Sequence, residues 1–183
     1  MAAQAQILSK RYATASDHYR IFFEEIGSLY WLAFLLTANS DMAERCLAGG
    51  LGKCIDRIDV LIEQVPSWAR RAVIQEAIRI LRPAQQEGKK EFAVNKPSAA
   101  AGERNPFAFI TSLCTFERFV FVLSILEGLP DLDCQNLLSC SWEDVVATRK
   151  FATKLFGAAN TEFDCAQKDV PSRAKLLNWP RYS

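Results

Sequence analysis

Between residues 21 and 36 the apolar side chains Ile21, Phe22, Ile26, Leu29, Tyr30, Ala33, Phe34 and Leu36 recur three and four positions apart, with no strand-like alternation. A chain that begins this way builds its core by packing helices. The spacing predicts a first helix over about 17–38. Asn39 and Ser40 interrupt it, and Asp41 with Glu44 three residues later has the spacing of a reciprocal N-terminal cap, so a second helix is expected to start there. Ile55, Ile58, Leu61, Ile62 and Val65 continue its stripe, but Gly49, Gly50 and Gly52 come first. Each glycine costs a helix interior about 1 kcal/mol relative to alanine. The three together predict a bend or break near 48–53. Pro66 and Ser67 open a third helix, with Val73, Ile74, Ala77, Ile78 and Leu81 on its apolar face, and Pro83 stops it.

Residues 83–106 are rich in proline, glycine and polar side chains and read as a linker. A flexible stretch of that length spans roughly 25–30 Å. The fold class expected is therefore all-α: a three-helix domain over 1–82, the linker, a second helical domain over 107–157 and a tail over 158–183. In the second domain a short helix begins at Phe107. Thr115 is a candidate cap for the apolar run FERFVFVLSIL, which Gly128 closes. Pro130 then introduces the short segment LDCQNLL. Ser139 and Cys140 separate it from SWEDVVATRKFATKLF, which is expected to end at Gly157. Two helices joined by so tight a turn form a helix-turn-helix pattern. In the tail, Leu176, Leu177, Trp179 and Tyr182 are candidate docking points.

Composition narrows the chemistry. Half of the 183 residues are apolar and 23% are charged, enough to bury a core. The net charge of +1 gives no global attraction to nucleic acid or anionic lipid, so any such partner is held by a local patch. The cysteines at 46, 54, 114, 134, 140 and 165 form no CxxC pair, and His18 lies far from them, which predicts no zinc site. They are read as small hydrophobes in a reducing cytoplasm. The chain shows no secretory leader pattern, and Leu29 to Leu36 is far shorter than a membrane span. His18 is expected at the surface or in a cap. With no nucleophile, acid pair or phosphate loop at a recognisable spacing, neither catalysis nor a cofactor is expected.

Two blocks resemble the small two-domain sigma factors of bacterial RNA polymerase, the extracytoplasmic-function group of the sigma-70 family. LYWLAFLLTANSDMAE, 29–44, is similar to the group's opening helix pair. FERFVFVLSILEGLPDLDCQNLLSCSWEDVV, 116–146, is similar to its promoter-reading domain, with the Arg-x-x-Phe-x-Leu helix, Glu-Gly-Leu and a Ser-initiated recognition helix in order. The resemblance implies a protein that directs core RNA polymerase to promoter DNA. Ala43, Glu44 and Leu47 match the clamp-facing helix and would touch polymerase. Trp68, Arg70, Arg71, Arg79 and Arg82 would hold opened promoter DNA, and Arg149, Lys150 and Lys154 the duplex.

Charge supports the first DNA surface more than the second. Over 66–96 seven positive side chains face three negative ones, a local +4, and Trp68 could stack on an unpaired base. Over 129–156 the balance is −1, with Glu143 and Asp144 at the start of the recognition helix, where the helix dipole also favours acids. The family's usual acidic and amide clamp residues fall on Arg45, Ala48 and Gly49. The alternative is an interaction module that keeps the fold without initiating transcription and binds a regulator, such as an anti-sigma protein, through the tail.

Overall fold

The computed structural model describes residues 11–57, 59–83 and 106–165, the side chains of 106–107 and 158–165 excepted. Among the described residues eight α-helices form the architecture: α1 (Ala15–Glu24), α2 (Ile26–Thr37), α3 (Ser40–Ile55), α4 (Val65–Leu81), α5 (Pro106–Ser112), α6 (Thr115–Phe121), α7 (Asp131–Leu138) and α8 (Trp142–Cys165). The fold is all-α, as the apolar period requires. An antiparallel bridge between Tyr12 and Leu61 ties the segment before α1 to the segment before α4. It is carried by Ala13 N–H donating to Val60 O at 2.8 Å and Ile62 N–H to Arg11 O at 3.0 Å.

The first expected helix is two. α1 starts earlier than the apolar stripe, at a capping box in which Thr14 Oγ1 accepts from Asp17 N–H and Asp17 Oδ2 accepts from Thr14 N–H. The chain then leaves helical geometry at Glu25 (φ −94°, ψ 3°) and restarts. Ser28 Oγ donates to the Glu25 carbonyl and carboxylate across this break. No proline marks it; Gly27 follows in the first turn of α2, a weak signal that the apolar spacing overrides. The cap of α3 is Asn39, whose Oδ1 accepts from Met42 N–H at 2.9 Å, rather than Asp41 with Glu44.

α3 also runs unbroken through its glycines, against the expected bend. A Cβ on Gly50 would lie 2.8 Å from Val73 Cγ2 and 3.3 Å from the Val73 backbone, and one on Gly49 2.7 Å from Glu76 Cδ. These glycines lose helix propensity but let α4 approach to backbone contact, and the packing gained offsets the loss. α4 matches expectation, with proline in its first turn and a stop at Arg82, whose backbone is left-handed (φ 44°).

Residues 84–105, nearly all of the expected linker, lie outside the described residues. α6 is capped one residue earlier than expected, at Cys114, whose N–H donates to Glu117 Oε2 at 3.3 Å. It passes into a π-helical turn at Val122–Leu126, and Gly128 (φ 66°) closes it. α8 continues past Gly157 to Cys165, whereas the tail from 166 lies outside the described residues.

Helices before and after 84–105 share one hydrophobic core. It joins Leu29, Leu32 and Leu36 of α2, Val73 and Ala77 of α4, Phe119 and Val120 of α6, and Val145 and Ala152 of α8. Each leucine, valine and phenylalanine among them contributes about 1.5–3 kcal/mol when fully buried. Phe109, Phe121 and Phe156 form an aromatic triad that fixes α8 against α5 and α6, with ring centroids 5.5–5.8 Å apart. A smaller cluster of Ala13, Ile21, Val60 and Val65 meets the main core at Trp68. Cys46, Cys54 and Cys134 are buried, and burial pushes each thiol up to about 11, so they pack as protonated hydrophobes. His18 is neither on the surface nor in a cap. It is fully buried, and neither ring nitrogen has a hydrogen-bond partner.

Candidate nucleic-acid interface

At about 100° per residue, Trp68, Arg71 and Arg79 fall on one side of α4, with Arg82 just past its end, while Arg70 turns away from them. Arg71 and Arg82 are exposed and make no ion pair with any described residue. Arg79 is exposed and donates to Glu76 Oε2 at 2.7 Å. Glu76 is buried and also meets Lys53 Nζ at 2.9 Å. Burial pulls the Glu76 pKa up, but the hydrogen bonds from Lys53 and Arg79 outweigh it and hold the carboxyl below its usual range.

Two of the expected DNA-contacting side chains are committed inside the protein. Trp68 is half-buried against both clusters, its indole N–H is buried without a partner, and the Arg57 guanidinium lies 4.5 Å over its ring. That cation occupies a face a base would need, so Trp68 packs rather than stacks. Arg70 forms a two-pronged pair with Glu127, Nε donating to Oε2 at 2.9 Å and Nη2 to Oε1. Glu127 belongs to the turn after α6, so Arg70 points at the other half of the chain.

Where the sequence predicts a helix-turn-helix, α7 and α8 are joined through Ser139, Cys140 and Ser141. Ser139 has a left-handed backbone (φ 51°), the geometry that favours glycine, so serine is strained there. Ser141 Oγ accepts from Asp144 N–H at 3.1 Å and donates to Asp144 Oδ2 at 2.6 Å, which makes Asp144 part of the α8 cap. Glu143 stays exposed. Arg149 is spent on Asp131 of α7. Lys150 and Lys154 are exposed and flank a shallow concavity with Ile125 and Thr153.

A groove of about 630 Å³ runs between the end of α4 and the α7–α8 turn, with Arg79 and Arg82 on one wall and Ser139, Ser141 and Asp144 on the other. Of the expected polymerase-facing residues, Ala43 is fully buried and Leu47 packs on the core, so both hold α3 in place and only Glu44 offers its side chain to solvent.

Sequence reasoning missed Arg118. It is 6% exposed, and its guanidinium donates to Leu36 O in the last turn of α2 at 2.9 Å and to Leu113 O just after α5 at 3.3 Å. Burial lowers its pKa without threatening its charge. The cation sits where the negative ends of two helices converge. An Arg-x-x-Phe-x-Leu run was visible in the sequence, but the carbonyl partner is 82 residues away.

Among the described residues no group of three or more His, Cys, Asp or Glu side chains converges to hold a metal, and no helix is long and apolar enough to cross a membrane. No protein-family model matches the chain, and no curated protein or solved structure is significantly similar to it.

Proposed function

We propose that the protein is a sigma-like DNA-binding protein of transcription initiation, working in the cytoplasm with core RNA polymerase and promoter DNA as partners. The observation that carries this reading is the groove in which α4 cations border the turn of a helix-turn-helix. Arg79 and Arg82 would neutralise phosphates along one wall, Arg71 would add a contact elsewhere on α4, and Lys150 and Lys154 would contact duplex from α8. No cofactor takes part.

The test is direct. Purified protein mixed with core polymerase at low salt is expected to co-elute with it and to yield promoter-dependent transcripts. Within this reading, Glu143→Lys raises duplex affinity and steepens its salt dependence, because it replaces a like charge beside phosphate. Unchanged affinity would show that this helix does not face DNA.

A second reading, an interaction module that keeps the fold without initiating transcription, draws on different observations. Arg70 and Arg149 are consumed by acids, and Ala43 and Leu47 are turned inward. Its regulator would be a protein of the anti-sigma kind. Absence of both co-elution and transcripts supports it.

A further inference from the structure

The two groups of helices meet along a narrow seam: α5 and α6 rest on α2, and α7 on α4. Apolar side chains of the shared core and two cations hold it. Arg118 is deep and bonds only carbonyls. Arg70 is shallower, its side chain 23% exposed, and its fork is filled by the Glu127 carboxylate, itself 9% exposed. A carboxylate and a phosphodiester offer a guanidinium the same planar pair of oxygens. Glu127 also rides on the turn that ends at Gly128, whose left-handed backbone (φ 66°) sets it apart from the helices on either side. Arg70 therefore lies within the most cationic helix of the chain yet is closed off by an internal anion.

We infer that Glu127 occupies on Arg70 the place of a nucleic-acid phosphate, so that this ion pair is a latch between the two halves that single-stranded DNA must displace to use the full set of α4 cations. The inference rests on the DNA-binding reading for its ligand but not for the latch itself. In the closed form α4 offers Arg71 and Arg82, with Arg79 exposed but bonded to Glu76. In the open form Arg70 joins them, and the groove beside α7 widens. The DNA phosphate and Glu127 compete for one fork, so binding and opening are one equilibrium.

The experiment uses the full chain and its Glu127→Gln variant, which keeps the shape and removes the charge. Hydrogen exchange in peptides covering the last turn of α2, α6 and the 127–130 turn reports the seam. Fluorescence anisotropy with a labelled single-stranded oligonucleotide across a salt series reports the phosphate contacts. The variant is expected to exchange faster at the seam and bind about tenfold tighter, with a log–log salt slope steeper by about 0.7, the value for one added single-strand contact. Arg70→Gln placed on Glu127→Gln should cancel the gain in affinity and slope while the seam stays loose.

An unchanged seam in Glu127→Gln overturns the latch. So does a loosened seam with wild-type DNA binding but no gain in the variant, since Glu127 then does not compete with phosphate. A loosened seam with no DNA binding by either protein keeps the latch and sinks the DNA-binding reading. Should Glu127→Gln fail to fold, Arg70→Lys keeps the charge but loses the two-pronged geometry. Faster seam exchange in that variant supports the latch, and wild-type exchange overturns it.

Discussion

Helix α3 meets α4 by leaving side chains out, whereas α6 meets α2 by putting a long one in. At Gly49 and Gly50 there is no room for a methyl group, and the contact is backbone against Val73 and Glu76. At the other junction the Arg118 guanidinium bridges the carbonyl ends of α2 and α5. The first kind of contact can only be kept or lost. The second is polar, and water can replace the donors and acceptors it uses if the seam opens, so it suits surfaces that separate and close again. Arg70 and Arg118 face the seam and are spent there, whereas Arg71 and Arg82 face out with no ion pair to a described residue and the outward Arg79 is held by Glu76 of its own helix.

The largest test of that contrast is Arg118→Ala. It removes a buried donor from two carbonyls and opens a void, with an expected loss of about 3–5 kcal/mol in urea unfolding. If the seam is the separable part, the unfolding curve of this variant splits into two transitions. A loss under about 1 kcal/mol would show that the carbonyls find water without cost and that Arg118 does not hold the seam.

Next comes the glycine junction. Gly50→Ala places a methyl 2.8 Å from Val73 Cγ2 with backbone close behind, and should cost about 2 kcal/mol through displaced helices. Gly52 is the control on the same helix. Nothing lies within 4 Å of a Cβ there, so Gly52→Ala should stabilise by about 0.8 kcal/mol through propensity alone. Equal effects at the two positions would mean that α3 and α4 do not touch at Gly50.

These two positions also show what the sequence could and could not reveal. α4 was legible, because Pro66, the apolar spacing and Pro83 all act within one helix turn of the boundary they set. The turn between α7 and α8 was legible for the same reason. Glycines in α3 looked like breaks, because propensity is a local quantity while the close approach of α4 is a tertiary one. The stop falls on Glu25, which is not a breaker residue, and Gly27 two positions later sits inside the next helix rather than between the two. His18 was misplaced because burial of a lone polar side chain depends on which helices cover it. For the candidate interface, the cationic run on α4 could be counted from sequence, but which of its members are free could not. The acids that consume Arg70 and Arg79 are 57 and 3 residues away, and only the folded chain distinguishes these cases from Arg71 and Arg82.

Glu76 sharpens the comparison through pH. Its carboxyl is held below the ordinary value near 4.5, so its folded-state pKa is depressed relative to the unfolded chain. The stability it contributes is fully present above about 4.5, the unfolded value, and is lost as pH falls through the lower folded-state value. Glu76→Gln should therefore cost about 1.5 kcal/mol at pH 7, the scale of a charge-assisted hydrogen bond, and flatten the acid limb of the stability curve. Lys53 and Arg79 reach solvent, with side chains 38% and 66% exposed, and this limits the penalty of leaving them unpaired. An acid limb identical to wild type would mean that Glu76 is not ionised beside α3.

The smallest effect belongs to the α7–α8 turn, where strain rather than contact is at stake. Ser139 holds φ 51°, a conformation that costs a residue with a Cβ about 1 kcal/mol relative to glycine. Ser139→Gly removes that penalty and should raise stability by up to about 1 kcal/mol, less what the freer unfolded chain takes back. Gly128, at φ 66° on the other side of α7, is the natural reference. Gly128→Ala introduces the same strain with nothing within 4 Å of the new methyl, so its loss measures strain alone. Opposite signs at 139 and 128, similar in size, would establish that α7 is framed by two left-handed stops. A loss at 139 would mean instead that the Ser139 side chain, exposed at the rim of the α4 groove, makes a contact worth more than the strain it brings.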